Sequence, residues 1–219
     1  MTSRVRTEPS AAEAARTALA TWSAGSLLLR RCPAGGRSWG VDLEGGVEGR
    51  PVLVVEPGSP VVAALRACPV GVLVLPPAGP PDRSVLRLTA RFTPLRGAST
   101  DGRRRYRSEL LAVCLVGPGR RPVEPAAFAA AEPDPLRQSA ARVVDHLASR
   151  HRGELLACLR AQGYDALDVV PRAVDGYGLS LAVLDADGVR AVRLPFPGGP
   201  VRDADLDAGW ALPLRCACP

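Results

Sequence analysis

The sequence predicts an α+β fold in two parts, a β-barrel followed by a small α-β-β-β-α module. Three observations lead there. Six short apolar or alternating runs, separated by Gly and Pro turns, lie between Ser26 and Val116, a density of strands that suits a closed or nearly closed barrel. Glu132-Pro133-Asp134-Pro135 is a stiff boundary, because each proline pushes its predecessor away from helix. After it, one long helical pattern precedes three strand-like runs and a last short helix, the order of an α+β sandwich. The expected division is residues 1–131 and 132–219.

The elements of the first part follow in order. Ser10 stands three residues ahead of Glu13, a capping box that starts a helix from Ala11 to Trp22. Ser26–Arg31, Ser38–Asp42 and Pro51–Glu56 read as strands. Gly58-Ser59-Pro60 places Ser at an N-cap and Pro at the first helical position, so a short helix runs to Ala67. Val70–Leu75 is a continuous apolar strand. Val85–Thr93 alternates apolar and polar residues, as a half-buried strand does. Asp101–Arg105 is expected as a loop and Glu109–Val116 as the last strand. The Gly/Pro/Arg run from Gly117 to Pro122 closes the region, and Glu124–Ala131 is weakly helical.

In the second part a single helix is expected from Ser139 to Gln162, stopped by Gly163. Val143, Val144, Leu147, Leu155, Leu156 and Leu159 would then share one arc of about 160°. Leu167–Val174 reads as a strand and, because Pro171 interrupts it, as an edge strand. Leu179–Leu184 and Val189–Phe196 pair across the turn Asp185–Gly188. Asp203 caps a final helix that Pro213 ends.

Composition narrows the function classes. The core must be aliphatic, since aromatic residues make up 4% of the chain against 47% hydrophobic residues. Lys, Ile and Asn are absent, so all 28 basic residues are Arg, the signature of a GC-rich bacterial genome. The net charge of +6 is uneven: residues 1–130 carry +8 and residues 131–219 carry −2. A basic half suits an anionic partner such as a nucleotide, a phosphate, a propionate or nucleic acid. No apolar run approaches the roughly 18–20 residues of a membrane helix, and no leader pattern opens the chain, so the expected location is the cytoplasm. No CxxC pair occurs; Cys68, Cys114 and Cys158 read as small core hydrophobes. Cys216-Ala217-Cys218 is a terminal pair, incidental or a soft-metal site. GxSxG, P-loop, HExxH and GxGxxG patterns are all missing.

Four ordered pieces of the second part carry a family resemblance. They are Ala131-Glu132-Pro133-Asp134-Pro135-Leu136, then Asp145-His146-Leu147 followed by His151 and Glu154-Leu155, then Val174-Asp175-Gly176-Tyr177-Gly178-Leu179, then Val192-Arg193-Leu194-Pro195-Phe196-Pro197. Over about 80 residues these resemble the C-terminal domain of HugZ-like haem-utilisation proteins, which follows a pyridoxamine 5'-phosphate oxidase-like split barrel. In the first part, Gly49–Val55, the short helix, Val70–Leu75 and Leu86–Arg91 resemble that split barrel, an FMN-binding-type fold. The resemblance implies a homodimer with ligands at the subunit interface, a bound tetrapyrrole, and haem iron held by histidine. It also implies a haem oxygenase-like oxidoreductase if the protein is an enzyme, with electrons from an outside reductase. Two departures stand against the family pattern. FMN-binding members hold the phosphate with basic and hydroxyl residues near the third and fourth strands, where Pro51–Pro76 offers only Ser59 and Arg66; FMN is therefore not expected. The final helix is also short and gives way to the cysteine tail.

Both histidines fall on the predicted long helix. Five residues apart on one helix, they point about 140° apart and would not chelate one ion together. His151 falls inside the apolar arc, as a satisfied interface histidine or as a ligand to haem iron or another metal. His146 falls on the polar face, exposed or ligating across a dimer. Arg87 and Arg91 share one face of their strand, either the outward barrel surface or a place to pair with haem propionates or a phosphate. Arg103-Arg104-Arg105-Tyr106-Arg107 mixes an aromatic with basic residues, but its loop setting argues against nucleic acid. Three readings stay open: a protein that binds haem, with or without degrading it; a non-catalytic regulatory or interaction protein of tetrapyrrole metabolism that has lost the flavin site; and a flavin or deazaflavin oxidoreductase.

Overall fold

The computed structural model describes residues 6–29, 37–76, 85–96, 101–117, 119–196 and 200–202. The chain divides into two compact units, Ser10–Pro133 and Asp134–Pro219 together with Met1–Pro9.

The first unit opens with α1 (Ala11–Thr21), whose predicted capping box is formed. The Ser10 hydroxyl accepts from the Glu13 amide at 3.2 Å, and the Ser10 amide donates to the Glu13 carboxylate at 2.7 Å. The strands are β1 (Ala24–Leu29), β2 (Arg37–Glu44), β3 (Val52–Val55), β4 (Val70–Leu75), β5 (Val85–Pro94), β6 (Arg104–Val116) and β7 (Arg120–Val123). Between β3 and β4 lies α2 (Pro60–Ala67), capped by the Ser59 hydroxyl as its sequence requires. The sheet runs β3-β2-β1-β4-β5-β6, and β3 pairs back onto β6, which closes a six-stranded antiparallel barrel; β7 extends it beyond β6. This is the split barrel of the α+β class. Closure removes the free edges that an open sheet of this length would expose.

Alternation along each strand fills the barrel. Leu27 and Leu29, Leu53 and Val55, Leu73 and Leu75, and Leu86, Leu88 and Phe92 are all buried. α1 adds Ala15 and Leu19, α2 adds Val61 and Leu65, and α3 (Pro125–Ala130) adds Phe128. Each fully buried Leu or Phe of this kind contributes about 1.5–3 kcal/mol relative to exposure.

Two predicted boundaries move. The expected loop through Arg105 ends earlier, because β6 begins at Arg104 and turns Tyr106 and Ser108 inward. β7 lies inside the Arg/Pro run that the sequence marked as the end of the region, and Val123 is its one buried residue.

The second unit contains α4 (Ala140–Arg150), α5 (Arg152–Ala161), β8 (Asp168–Asp175), β9 (Gly178–Asp185) and β10 (Gly188–Pro195). The sheet order is β10-β9-β8, antiparallel throughout. β8 is an edge strand, and its register shifts between Pro171 and Ala173, where proline removes a ladder donor. Leu136, Val143, Leu147, Leu155, Leu159, Val169, Val183 and Leu194 share one core. Asp134 fastens the lead-in to the β8–β9 turn, since its carboxylate accepts from the amides of Leu136 at 2.7 Å and Gly176 at 3.1 Å. Residues preceding α1 join this unit: Arg6 donates to the Tyr177 hydroxyl at 2.9 Å, and Arg193 donates to the Thr7 carbonyl at 3.1 Å.

The long helix expected from Ser139 to Gln162 is two helices. His151 ends α4 and begins α5, with φ −124° and ψ 20°, outside the helical region. Its amide still donates to the Leu147 carbonyl at 3.0 Å, and its carbonyl accepts from the Leu155 amide at 3.0 Å, so the break is tied on both sides. The final helix expected after Asp203 lies outside the described residues, as do Cys32, Cys216 and Cys218.

Candidate functional site

The junction at His151 decides the geometry of both histidines. Two residues five apart on one continuous helix face different directions, but the change of chain direction at His151 swings its ring back towards α4. The Nε2 atoms of His146 and His151 lie 3.0 Å apart, with ring centroids 4.9 Å apart and ring planes tilted by 47°. The expectation that the two point apart, unable to meet at one ion, is overturned. Its premise, an unbroken helix, fails at the residue in question. His151 is also not part of the buried apolar face; its side chain is 26% exposed, while Leu147 and Leu155 on either side are buried. His146 is half-buried rather than open to solvent.

Glu154, in the first turn of α5, places a carboxylate oxygen 3.5 Å from His151 Nδ1, where it can accept a ring N–H. One of the two Nε2 atoms carries the hydrogen that the other accepts. The chain of contacts runs from His146 to His151 to Glu154.

Charged neighbours are already committed. Arg152 donates from Nε to Asp168 at 2.7 Å, and that hydrogen bond holds the Asp168 carboxyl below the usual carboxylate range. Asp134, beneath the β8–β9 turn, is pushed up to about 6, mainly because burial disfavours its charge.

Arg87 and Arg91 lie apart from this pair in the chain's division, on β5 of the first unit. Both are exposed on the outward face, between the inward Leu86, Leu88, Ala90 and Phe92. Arg91 meets Glu109 of β6 at 4.0 Å, with both side chains more than half exposed. Such a contact contributes little to stability. The structure thus brings His146 and His151 together, and it places Arg87 and Arg91 in line on the barrel exterior.

The arginine cluster at the start of β6 resolves by alternation. Tyr106 is buried in the barrel, while Arg105 donates to both oxygens of Glu44 at 2.9 Å and to Asp101 at 3.0 Å. Hydrogen bonds from Arg105 hold Glu44 below its ordinary value. Arg103 pairs with Asp42 and with Glu56. The aromatic that made this run resemble a nucleic-acid contact therefore faces the core, and two of its cations are bound to carboxylates.

Ser59 accepts from the Val61 amide at 3.3 Å, and Arg66 is exposed at the end of α2. Sequence reasoning missed Arg16, which is 5% exposed, donates to the Ala131 carbonyl at 2.9 Å, and lies 5.4 Å above the Phe128 ring. Only its place on the Ala-rich face of α1 could have signalled that.

No family model matches the chain, and no curated protein matches it. Solved structures do. A haem-binding protein from Mycobacterium smegmatis is 26% identical, with a TM-score of 0.68, over 92% of this chain and 94% of that one. A protein of unknown function from Agrobacterium tumefaciens is 16% identical with a TM-score of 0.47, over 97% of this chain and all of the other. A pyridoxinephosphate oxidase-family protein from Clostridium acetobutylicum is 7% identical with a TM-score of 0.41, over 49% of this chain and 89% of that one.

Proposed function

We propose that this protein binds haem, and that a histidine of the α4–α5 junction supplies the iron ligand. The observation that carries the reading is the likeness, along nearly the whole of both chains, to the mycobacterial haem-binding protein. The junction fits such a role. Glu154 beside His151 Nδ1 would accept the far ring N–H of a ligating His151, and a carboxylate there raises the basicity of the imidazole; iron would take the place that His146 Nε2 holds against His151 Nε2 here, so His146 would turn aside. Bound haem would supply redox chemistry at its iron; the residues here bind and orient it.

Geometry separates the two histidines. The two Nε2 atoms are 3.0 Å apart, so each ring blocks the other's coordinating nitrogen and one iron would take one of the two. His151 is proposed as the ligand and His146 as its neighbour. Arg87 and Arg91, on the barrel exterior, are proposed as partners for an anionic group such as a propionate or a phosphate, with a homodimer as the assembly.

Hemin titrated into the purified full chain tests the reading. Saturable growth of a Soret band is expected, lost in the His146→Ala/His151→Ala double variant. An unchanged hemin spectrum, or a double variant that binds as well as the parent, contradicts it. Haem degradation in a HugZ-like manner is the finer proposal. It predicts loss of the Soret band with release of iron when an external reductant and O₂ are added, where a pure binding or interaction protein keeps its haem intact.

A further inference from the structure

The histidine pair has a second property that haem ligation does not use. Two unshared imidazole lone pairs 3.0 Å apart repel, so something positive must lie between them. In the metal-free protein that is the shared hydrogen. Two imidazole nitrogens bound to one tetrahedral Zn²⁺ at 2.0–2.1 Å stand about 3.3–3.4 Å apart, a few tenths of an ångström from the separation seen here. The centroids are 4.9 Å apart, less than a head-on pair of rings would give, so the rings meet off the line between them.

We infer that His146 and His151 form a bidentate site for a divalent transition-metal ion of borderline character, such as Zn²⁺, Ni²⁺ or Cu²⁺, the class that imidazole pairs favour. The ion replaces the hydrogen between the two Nε2 atoms, and the ring that carried it takes a hydrogen on Nδ1 instead, exchanged through solvent, so that both rings bind as neutral imidazoles. Glu154 orients the His151 ring through Nδ1, the carboxylate–histidine–metal relay common at such centres. The backbone of His151 is bonded on both sides of the junction, which fixes the point from which its ring reaches His146. Among the described residues no cluster of three or more His, Cys, Asp or Glu forms. The described residues therefore supply two ligands, and water or another donor fills the rest. Binding is expected to be micromolar and readily exchangeable.

This inference stands independently of haem binding, because the metal is titrated alone. Zn²⁺ titrated calorimetrically into the full chain carrying Cys216→Ser and Cys218→Ser removes the tail thiols from the readout. One equivalent is expected to bind. His151→Ala and His146→Gln should each weaken that site at least tenfold, and Glu154→Gln should weaken it about tenfold. The His146→Gln variant keeps a hydrogen-bond donor opposite His151, so it separates lost chelation from lost folding, which circular dichroism checks. Zinc binding that survives both histidine substitutions, or no binding to the parent chain at millimolar zinc, overturns the inference. Zinc binding without hemin binding would retain the metal site and sink the haem reading, and the converse result would do the opposite.

Discussion

A histidine inside a helix points where the 3.6-residue period sends it; a histidine at a helix junction points where the junction sends it. His146 obeys the first rule and His151 the second, and their meeting at 3.0 Å depends on the difference. The residue types of the site were legible, because only two histidines occur and both lie beside family-like sequence. Their relation was not, because a single φ/ψ pair outside the helical region leaves no mark on hydrophobic periodicity. Asp134 gives a pH-dependent test at the same scale. Its folded pKa of about 6 lies above its ordinary value, so the folded state holds the proton more tightly than the unfolded chain. Its stabilising effect is complete below about pH 4 and is lost as pH rises through about 6. Relative to Asp134→Asn, the parent should lose on the order of 2–3 kcal/mol of unfolding free energy across that window, measured by urea denaturation at fixed pH steps. Equal pH profiles for the two proteins would remove burial as the cause. Gly49 gives a second test. It sits at φ +75°, and an added Cβ would run into the Arg16 guanidinium. Gly49→Ala should cost at least about 1–2 kcal/mol for the left-handed backbone alone, and more for displacing a buried arginine; a loss confined to that range would show that Arg16 moves aside freely, and an unchanged denaturation midpoint would contradict the strain itself.

Elements were read best where local chemistry dictates them. Ser10 with Glu13 starts α1, Ser59 with Pro60 starts α2, and Pro171 puts β8 at an edge, each from side chains or ring constraints that act within a few residues. Ser10→Ala should lower stability by about 1 kcal/mol in thermal or denaturant unfolding, and loss of less than a few tenths would mean the cap is redundant with tertiary packing. Elements were misread where charge or proline masks alternation. β6 begins among arginines because Tyr106 pairs across to Leu53, a partner more than fifty residues away that local reading does not see. β7 hides in Arg120–Val123 because one buried valine suffices to hold it beside β6. The α4–α5 break belongs to the same group: the apolar residues of both helices continue one helical pattern, yet they serve two helices that meet one sheet.

At the scale of the whole chain, the two cores are built from different residues, one inside the closed barrel and one between the paired helices and β8–β9–β10. Leu88→Ala in the barrel and Leu155→Ala in the second unit should each cost about 2–5 kcal/mol. Hydrogen exchange should accelerate in the substituted unit first; uniform acceleration everywhere would mean that the units unfold as one. The α+β class and the barrel were visible in the density of short strands, whereas barrel closure rests on the β3–β6 pairing, which only the folded chain reveals. No helix among the described residues is long and apolar enough to cross a membrane. The central claim, that this chain takes haem on the junction histidine, is tested most directly by one hemin titration read at the Soret band in the parent, His146→Ala and His151→Ala chains. The account predicts a one-per-chain complex in the parent, loss of that band in His151→Ala, and a shifted but persistent band in His146→Ala. An identical band in all three would contradict it.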